Sequence, residues 1–292
     1  MTAVLVDDRP RGLLQPLRRR PSDPMVRRLA LGRLQVVGLD DLVEHAALME
    51  RTDTKYVVPL STARALVEAL ADTHRVLKID GRRHTTYQTL YFDTPDLRSV
   101  QAHIQRRRRR WKVRTRLYVE DALCRVEVKT KDNSGGTIKA MASSDPGRFG
   151  SLTGADRKFV ALQLAGYSDA DVSALIPAAE IDYTRSTLAD VDAGTRVTID
   201  WQFAARTIMG AAWLDAGHVL VESKGPAGSS RADQVLSELG ARPQRFSKYV
   251  AAASTTTPRI SDNDFRRLLG RGVLQARSGP LAPQLLAVPS SR

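Results

Sequence analysis

Between residues 110 and 131 the chain sets charged side chains at every second position. Arg110, Lys112, Arg114 and Arg116 alternate with Trp111, Val113, Thr115 and Leu117, and Arg125, Glu127, Lys129 and Lys131 alternate with Cys124, Val126, Val128 and Thr130. The pattern recurs at Arg51, Asp53 and Lys55, at Arg196, Thr198 and Asp200, and at Glu222 and Lys224. A period of two puts each set on one face of a strand, so five strands carry a charged face. Same-face cations then stand about 7 Å apart along a strand and about 5 Å apart across a pair. In water a like-charged pair at ~7 Å costs only about 0.6 kcal/mol, but in a partly enclosed site of effective dielectric ~20 it costs about 2.4 kcal/mol. A solvated face explains any one of these strands, although such faces usually mix both charge signs with Thr, Ser and Gln. If the faces look inward around a common axis, they need a counter-charge that the few carboxylates among them do not supply. The chemistry that fits is the binding of a polyanion.

The elements that must position these faces are mostly strands, with a few helices between them. Ser61 reads as the N-cap of an amphipathic helix carrying Leu66, Val67 and Leu70, and helical periodicity returns at Asp156 to Leu164 and at Ala232 to Leu239, where Gly240 ends it. A short helix fits Phe265 to Leu269. The expected class is α+β; if the strands close on themselves, with the apolar faces covered by helices, the interior becomes a cationic tunnel. Three segments follow from composition: a basic, poorly ordered flank at 1–38, a tunnel domain at 39–255, and a basic, Pro-containing tail at 256–292. The first segment holds eight Arg and three Asp and the last six Arg and two Asp, so most of the +13 net charge lies in the flanks and does not by itself identify the core's partner.

At 292 residues, with 42% hydrophobic and 26% charged side chains, the chain is long enough for one large domain or two small ones and is not wholly disordered. Cys124 is the one cysteine, so no internal disulfide forms, and no Cys/His cluster has zinc-ligand spacing. The N-terminal residues lack a signal-peptide apolar stretch, and no run approaches the ~18 apolar residues of a membrane span. A cytoplasmic protein is expected. No P-loop, dinucleotide glycine fingerprint or HExxH motif is present. His45, His74, His84, His103 and His218 lack ligand spacing and read as structural or exposed.

Nine short pieces, in order across residues 45 to 252, resemble the VTC domain, the polyphosphate-polymerase branch of the triphosphate tunnel metalloenzyme (CYTH-like) superfamily. They are Arg51-Thr52-Asp53-Thr54-Lys55-Tyr56, Leu90-Tyr91-Phe92-Asp93-Thr94-Pro95, Lys112-Val113-Arg114-Thr115-Arg116, Glu127-Val128-Lys129-Thr130-Lys131, Thr137-Ile138-Lys139, Tyr183-Thr184-Arg185, Arg196-Val197-Thr198-Ile199-Asp200, Val221-Glu222-Ser223-Lys224 and Phe246-Ser247-Lys248-Tyr249. The resemblance implies an antiparallel β-barrel tunnel with a polar, cationic lumen and helices packed outside, and transfer of the terminal phosphoryl group of ATP to inorganic polyphosphate, with Mn²⁺ or Mg²⁺ as cofactor. By position it implies catalytic roles for Lys55, Arg114, Arg116, Lys129, Arg185, Arg196 and Lys248, substrate binding by Arg51, Lys112, Lys131, Lys139, Lys224 and Ser247, and metal binding by Glu222. The superfamily's first-strand ExExK motif is here Arg51-x-Asp53-x-Lys55, with one carboxylate, which disfavours triphosphatase or cyclase chemistry.

A dense set of Lys and Arg suits phosphoryl transfer, whose loose transition state needs positioning and electrostatic stabilisation. The attacking terminal phosphate is already anionic, so no Ser-His pair or dedicated base is required. Glu127, Asp53 and Asp200 read as holders of basic side chains. A non-catalytic polyphosphate-binding module and a tunnel triphosphatase are the alternatives. Arg106 to Arg110 before Trp111 resembles a nucleic-acid patch, but a turn entering a strand, with arginines at a tunnel mouth, explains it more simply, so no specific nucleic-acid partner is expected. The basic flanks offer peripheral contacts.

Overall fold

The computed structural model describes residues 23–45, 52–133, 136–167, 170–225, 230–258, 260 and 263–279. Arg51 lies outside them. The strands are β1 (Val36–Val37), β2 (Thr52–Pro59), β3 (Arg75–Leu77), β4 (Thr85–Asp93), β5 (Arg110–Tyr118), β6 (Leu123–Lys131), β7 (Thr137–Ser144), β8 (Ile176–Asp190), β9 (Thr195–Thr207), β10 (Gly210–Leu214), β11 (His218–Gly225) and β12 (Leu274–Ser278). The helices are α1 (Asp23–Arg28), α2 (Leu39–His45), α3 (Leu60–Ala69), α4 (Arg98–Ile104), α5 (Gly154–Gln163), α6 (Arg231–Glu238), α7 (Lys248–Thr256) and α8 (Arg266–Gly270). No helix among the described residues is long and apolar enough to cross a membrane.

Antiparallel pairing runs β2-β11-β9-β8-β4-β5-β6-β7. The long β9 forks this sheet: Arg196 to Asp200 pair with β11, and Ala204 to Thr207 pair with β10, which then carries β12. The fork coincides with Gln202 in the left-handed region at φ 56° and with a register shift between Asp182 and Thr184. β2 and β6 are six places apart, about 29 Å if the sheet were flat. Yet Asp53 and Lys55 of β2 and Glu222 of β11 all act on the protonation of Lys129 of β6, so the sheet curls and turns its charged faces into one concavity.

The curl does not become a closed barrel. Among the described residues no pairing joins β7 to β2, so the hydrogen-bonded tunnel expected from the sequence is open along that seam.

The faces divide as the alternation requires. Outside β2, β9 and β11, the side chains Tyr56, Val58, Val197, Ile199, Val219 and Val221 pack beneath α3 and α6. Outside β5 and β6, Trp111, Val113, Val126 and Val128 pack with Leu90, Phe92 and Val160 of α5. Each fully buried aliphatic or aromatic side chain of this kind contributes about 1.5–3 kcal/mol, which holds the charged faces inward. The capping boxes Thr153/Asp156 and Ser230/Asp233 start α5 and α6. Ser61 is not a cap: α3 begins at Leu60, with Pro59 at the N-cap position two residues before Ser61, and the Leu60 N–H donates to the Gly217 carbonyl.

Two further expectations are corrected. α7 does not pack outside. Tyr249 to Ala253 are buried against the inward residues Tyr91, Ile181, Tyr183, Phe203 and Ala205, so this apolar helix fills one end of the concavity. The segments placed beyond the folded domain also contribute to it. Leu29, Leu31 and Leu34 join the core beneath α3, while Phe265, Leu268 and Leu274 join the core around α7, where β12 pairs with β10. Their leucines are buried while the neighbouring arginines point outward, so basic composition hid them.

Candidate functional site

Three carboxylates sit beneath the cations of the inner face. Glu127 is 2% exposed and lies opposite Arg114 in the β5–β6 register. Its Oε2 accepts from Arg114 Nη2 at 2.5 Å and Nε at 2.9 Å and meets Lys139 Nζ at 3.2 Å, while Oε1 lies 3.5 Å from Arg116 Nη1. Burial opposes ionisation of Glu127, but Arg114, Arg116 and Lys139 outweigh it and hold the carboxyl well below the usual range. Arg114 also donates from Nη1 to the Tyr91 hydroxyl at 2.8 Å.

Asp200, fully buried on β9, accepts a two-pronged grip from Arg185, with Nε to Oδ1 at 2.5 Å and Nη2 to Oδ2 at 2.7 Å. Lys248 Nζ reaches the same Oδ2 at 2.5 Å. Here too burial alone would raise the carboxyl, and Arg185 and Lys248 bring it below its ordinary value. Glu222 is held by Lys55 at 3.1 Å and Lys224 at 3.2 Å, with Arg185 at 4.0 Å, and these cations depress it far below the carboxylate range against the effect of burial.

α7 supplies the end wall of the site and its own chemistry. Ser247 caps the helix by accepting from the Val250 N–H, and its Oγ receives Lys112 Nζ at 2.9 Å. Lys248 occupies the first helical turn, 4.4 Å from the centre of the Tyr183 ring. Tyr87 and Tyr183 stack with centroids 5.0 Å apart, beneath the guanidiniums of Arg116 (5.3 Å from Tyr87) and Arg185 (5.5 and 5.3 Å from the two rings). These aromatic faces orient cations that would otherwise repel one another.

The cations outnumber the carboxylates. Lys55, Lys112, Lys129, Lys139, Lys224 and Lys248, with Arg114, Arg116 and Arg185, face Glu127, Asp200, Glu222 and the exposed Asp53. The surplus shows in protonation. Lys112 is pushed well below the ordinary lysine value, first by burial and then by Lys129, Arg114, Arg110 and Lys55. Lys129 is lowered chiefly by burial, with Asp53 opposing and Lys55 adding, and Lys139 is lowered to about 8. Lys112→Met should therefore stabilise the empty protein by about 2 kcal/mol, the order of one like-charge repulsion at ~7 Å and effective dielectric ~20, while weakening tripolyphosphate binding. Parallel denaturant melts and binding titrations read both quantities; a loss of stability with unchanged affinity would make Lys112 structural.

Most residues named from the sequence thus meet in one place. Arg196 turns differently and donates to the Leu42 carbonyl of α2 at 3.5 Å. Lys131 lies at the end of β6, opposite Arg110. The sequence reading missed Tyr87 and the inward role of Tyr91, although both alternate with the core residues Leu90 and Phe92 on β4. His103 of α4, read as structural or exposed, is partly buried beside the cations. Burial and the nearby Lys112, Arg110, Lys129 and Lys55 bring His103 down to about 3, so its imidazole is neutral at physiological pH.

Comparison with known proteins adds a family to this geometry. The profile of the VTC domain matches residues 50–257. Among solved structures, a putative adenylyl cyclase, HpAC1 from Hippeastrum, described as having a dominant triphosphatase activity, is similar at 18% identity and TM-score 0.43, covering 70% of this chain and 94% of its own. A conserved hypothetical protein from Pyrococcus furiosus is similar at 12% identity and TM-score 0.34, covering 72% of this chain and 97% of its own. The PH1012 protein from Pyrococcus horikoshii OT3 follows at 9% identity and TM-score 0.33, covering 65% of this chain and 88% of its own. These structural likenesses are too distant to bear on function. No curated protein matches the chain.

Proposed function

Because the chain belongs to the VTC domain family, we propose that it is a polyphosphate polymerase, moving the terminal phosphoryl group of ATP onto a growing polyphosphate chain within the cationic concavity. The observation that supports this most is the convergence of cations from β2, β5, β6, β7, β8, β11 and α7 in excess of the carboxylates that hold them. A string of phosphates completes that charge balance.

Glu127 and Asp200 clamp the Arg114 and Arg185 guanidiniums before substrate arrives, so little reorganisation is needed as charge develops on the transferred group. Arg114, Arg116 and Arg185 offer planar forks to phosphate oxygens, while Lys112, Lys129 and Lys248 act as compact point charges. The attacking oxygen belongs to a phosphate that is already ionised, so none of these residues needs to remove a proton. Glu127, Asp200 and Glu222 are all engaged by cations in the empty site.

A divalent cation would be held at Glu222 in exchange for its contacts with Lys55 and Lys224, which phosphate would draw away. Among the described residues no group of three or more His, Cys, Asp or Glu side chains gathers around a common point. Glu222, 12% exposed, would supply one ligand, and phosphate oxygens would complete the sparse coordination that Mg²⁺ and Mn²⁺ accept. Bound there, the ion would neutralise charge on the phosphate oxygens.

Incubating the purified chain with ATP and Mn²⁺ and sizing the products tests the proposal. Polyphosphate accumulating with ADP is expected. Orthophosphate alone would make the protein a triphosphatase, and binding without turnover would make it a binding module.

Protonation gives a second test. Above pH 8 the empty site releases the Lys139 proton, whereas a bound anion favours its return, so binding should take up protons between pH 8 and the ordinary lysine value near ~10.4. The unfolded chain holds more protons across the same window, so this lysine makes the empty protein more stable as pH rises through it. Calorimetry of tripolyphosphate binding at pH 9 in buffers of different ionisation enthalpy should show the uptake, and Lys139→Met should reduce it. Equal heats in all buffers would contradict this.

A further inference from the structure

The run Arg106 to Arg110 connects α4 to β5 and is not used by the site described above. Arg106, Arg107, Arg108 and Arg109 are exposed, and Arg110 is half-buried. The segment is not a loose loop. α4 ends with the Arg106 N–H donating to the His103 carbonyl and the Arg107 N–H donating to that of Ala102, which forces Arg106 into the left-handed region at φ 57°. Glycine is the usual occupant of that position, so an arginine is kept there against backbone preference. Arg110 turns back to donate to the Arg107 carbonyl at 2.6 Å. Arg109 donates to the Gly166 carbonyl and lies 4.6 Å over the Tyr167 ring, and the Tyr167 hydroxyl donates to the Lys131 carbonyl at 3.1 Å.

These contacts fix the arginine tip to the end of the β5–β6 pair, where its charge continues that of the inner face. Arg110 stands opposite Lys131, and Lys112 stands opposite Lys129. Two directly opposed like-charged pairs in succession are unfavourable on a sheet. Together they make an unbroken cationic ladder from the interior to the exposed arginines.

We propose that the arginine tip Arg106–Arg108 binds the part of a polyphosphate chain that extends beyond the concavity. The inference rests on the polyphosphate reading above and adds a surface outside the catalytic cations. Continuity with the ladder selects polyphosphate over RNA, since the same chain of phosphates would occupy both. The tip thereby makes affinity depend on chain length: tripolyphosphate fits within the inner cations alone, while longer chains gain the outer contacts.

The test compares the full chain with the variant Arg106→Gly, Arg107→Ser, Arg108→Ser, with Arg109 retained because it anchors the segment. Binding of tripolyphosphate and of long-chain polyphosphate is titrated over a range of salt without ATP, so turnover does not enter. The variant should bind tripolyphosphate within about twofold of the parent, but long-chain polyphosphate about tenfold more weakly, with a salt dependence reduced by roughly two to three counterions. The single change Arg106→Gly should raise the unfolding midpoint by about 2–4 °C while weakening long-chain binding, a combination that simple loss of structure does not produce. Equal losses for both ligands, no loss for either, or RNA binding that is lost in the variant and not displaced by polyphosphate would overturn the proposal. Failure of the parent to bind either phosphate ligand would instead refute the polyphosphate reading itself.

Discussion

Glu127→Gln should destabilise the empty protein by about 3 kcal/mol, and saturating tripolyphosphate should restore most of the loss. The substitution keeps the shape but removes the negative charge beneath Arg114, Arg116 and Lys139. Stripping one partner from a buried ion pair typically costs about 3–5 kcal/mol. The lower end applies because Arg114 and Lys139 keep 23% and 36% of their side-chain surface in solvent. A ligand at ~100 times its dissociation constant contributes about 2.7 kcal/mol to the folded state, comparable with the deficit, and the stranded arginines should bind the anion more tightly than in the parent. Chemical denaturation with and without tripolyphosphate measures both quantities. A variant as stable as the parent, or one that the anion does not rescue, would show that the carboxylate is not a stand-in for phosphate charge.

The second large effect concerns turnover. Glu222→Gln should reduce the rate of ATP-dependent polyphosphate synthesis by a factor on the order of 10³, since it removes the carboxylate best placed to organise charge around the reacting phosphates, a contribution of several kcal/mol. Anion affinity measured without metal should hold or rise, because Lys55 and Lys224 lose their carboxylate partner and become available to phosphate. This split between rate and affinity separates a catalytic carboxylate from a structural one. Parallel losses in folding, affinity and rate would assign Glu222 to the scaffold.

Much of this was legible in the chain because a strand writes its two faces into alternate residues. β6 spans Leu123–Lys131 as read, β5 begins at Arg110 as read, and the repetition of like charges on one face pointed inward before any fold was seen. α7 was harder. Tyr249 to Ala253 are apolar on every side, and such a helix gives no sign of whether it lies inside or outside a sheet. Ser247 and Lys248 entered only through family resemblance. The open seam between β7 and β2 concerns strands remote in sequence, which alternation within one strand does not record. Leu29, Leu31 and Leu34 were hidden among arginines because their burial follows a short turn instead of a regular helical period. Tyr87 escaped notice, and Tyr183 entered only as part of a family piece, because tyrosine suits a core, a surface or a cation-bearing wall equally well.

The most direct measurement is a crystal structure of the protein with tripolyphosphate bound. The phosphates should lie in the concavity, touching cations from β5, β8 and α7 at once, including Arg114, Arg185 and Lys248. Phosphates bound only on the exposed basic segments, with the Glu127, Asp200 and Glu222 ion pairs enclosing an unvisited interior, would contradict the assignment of the site.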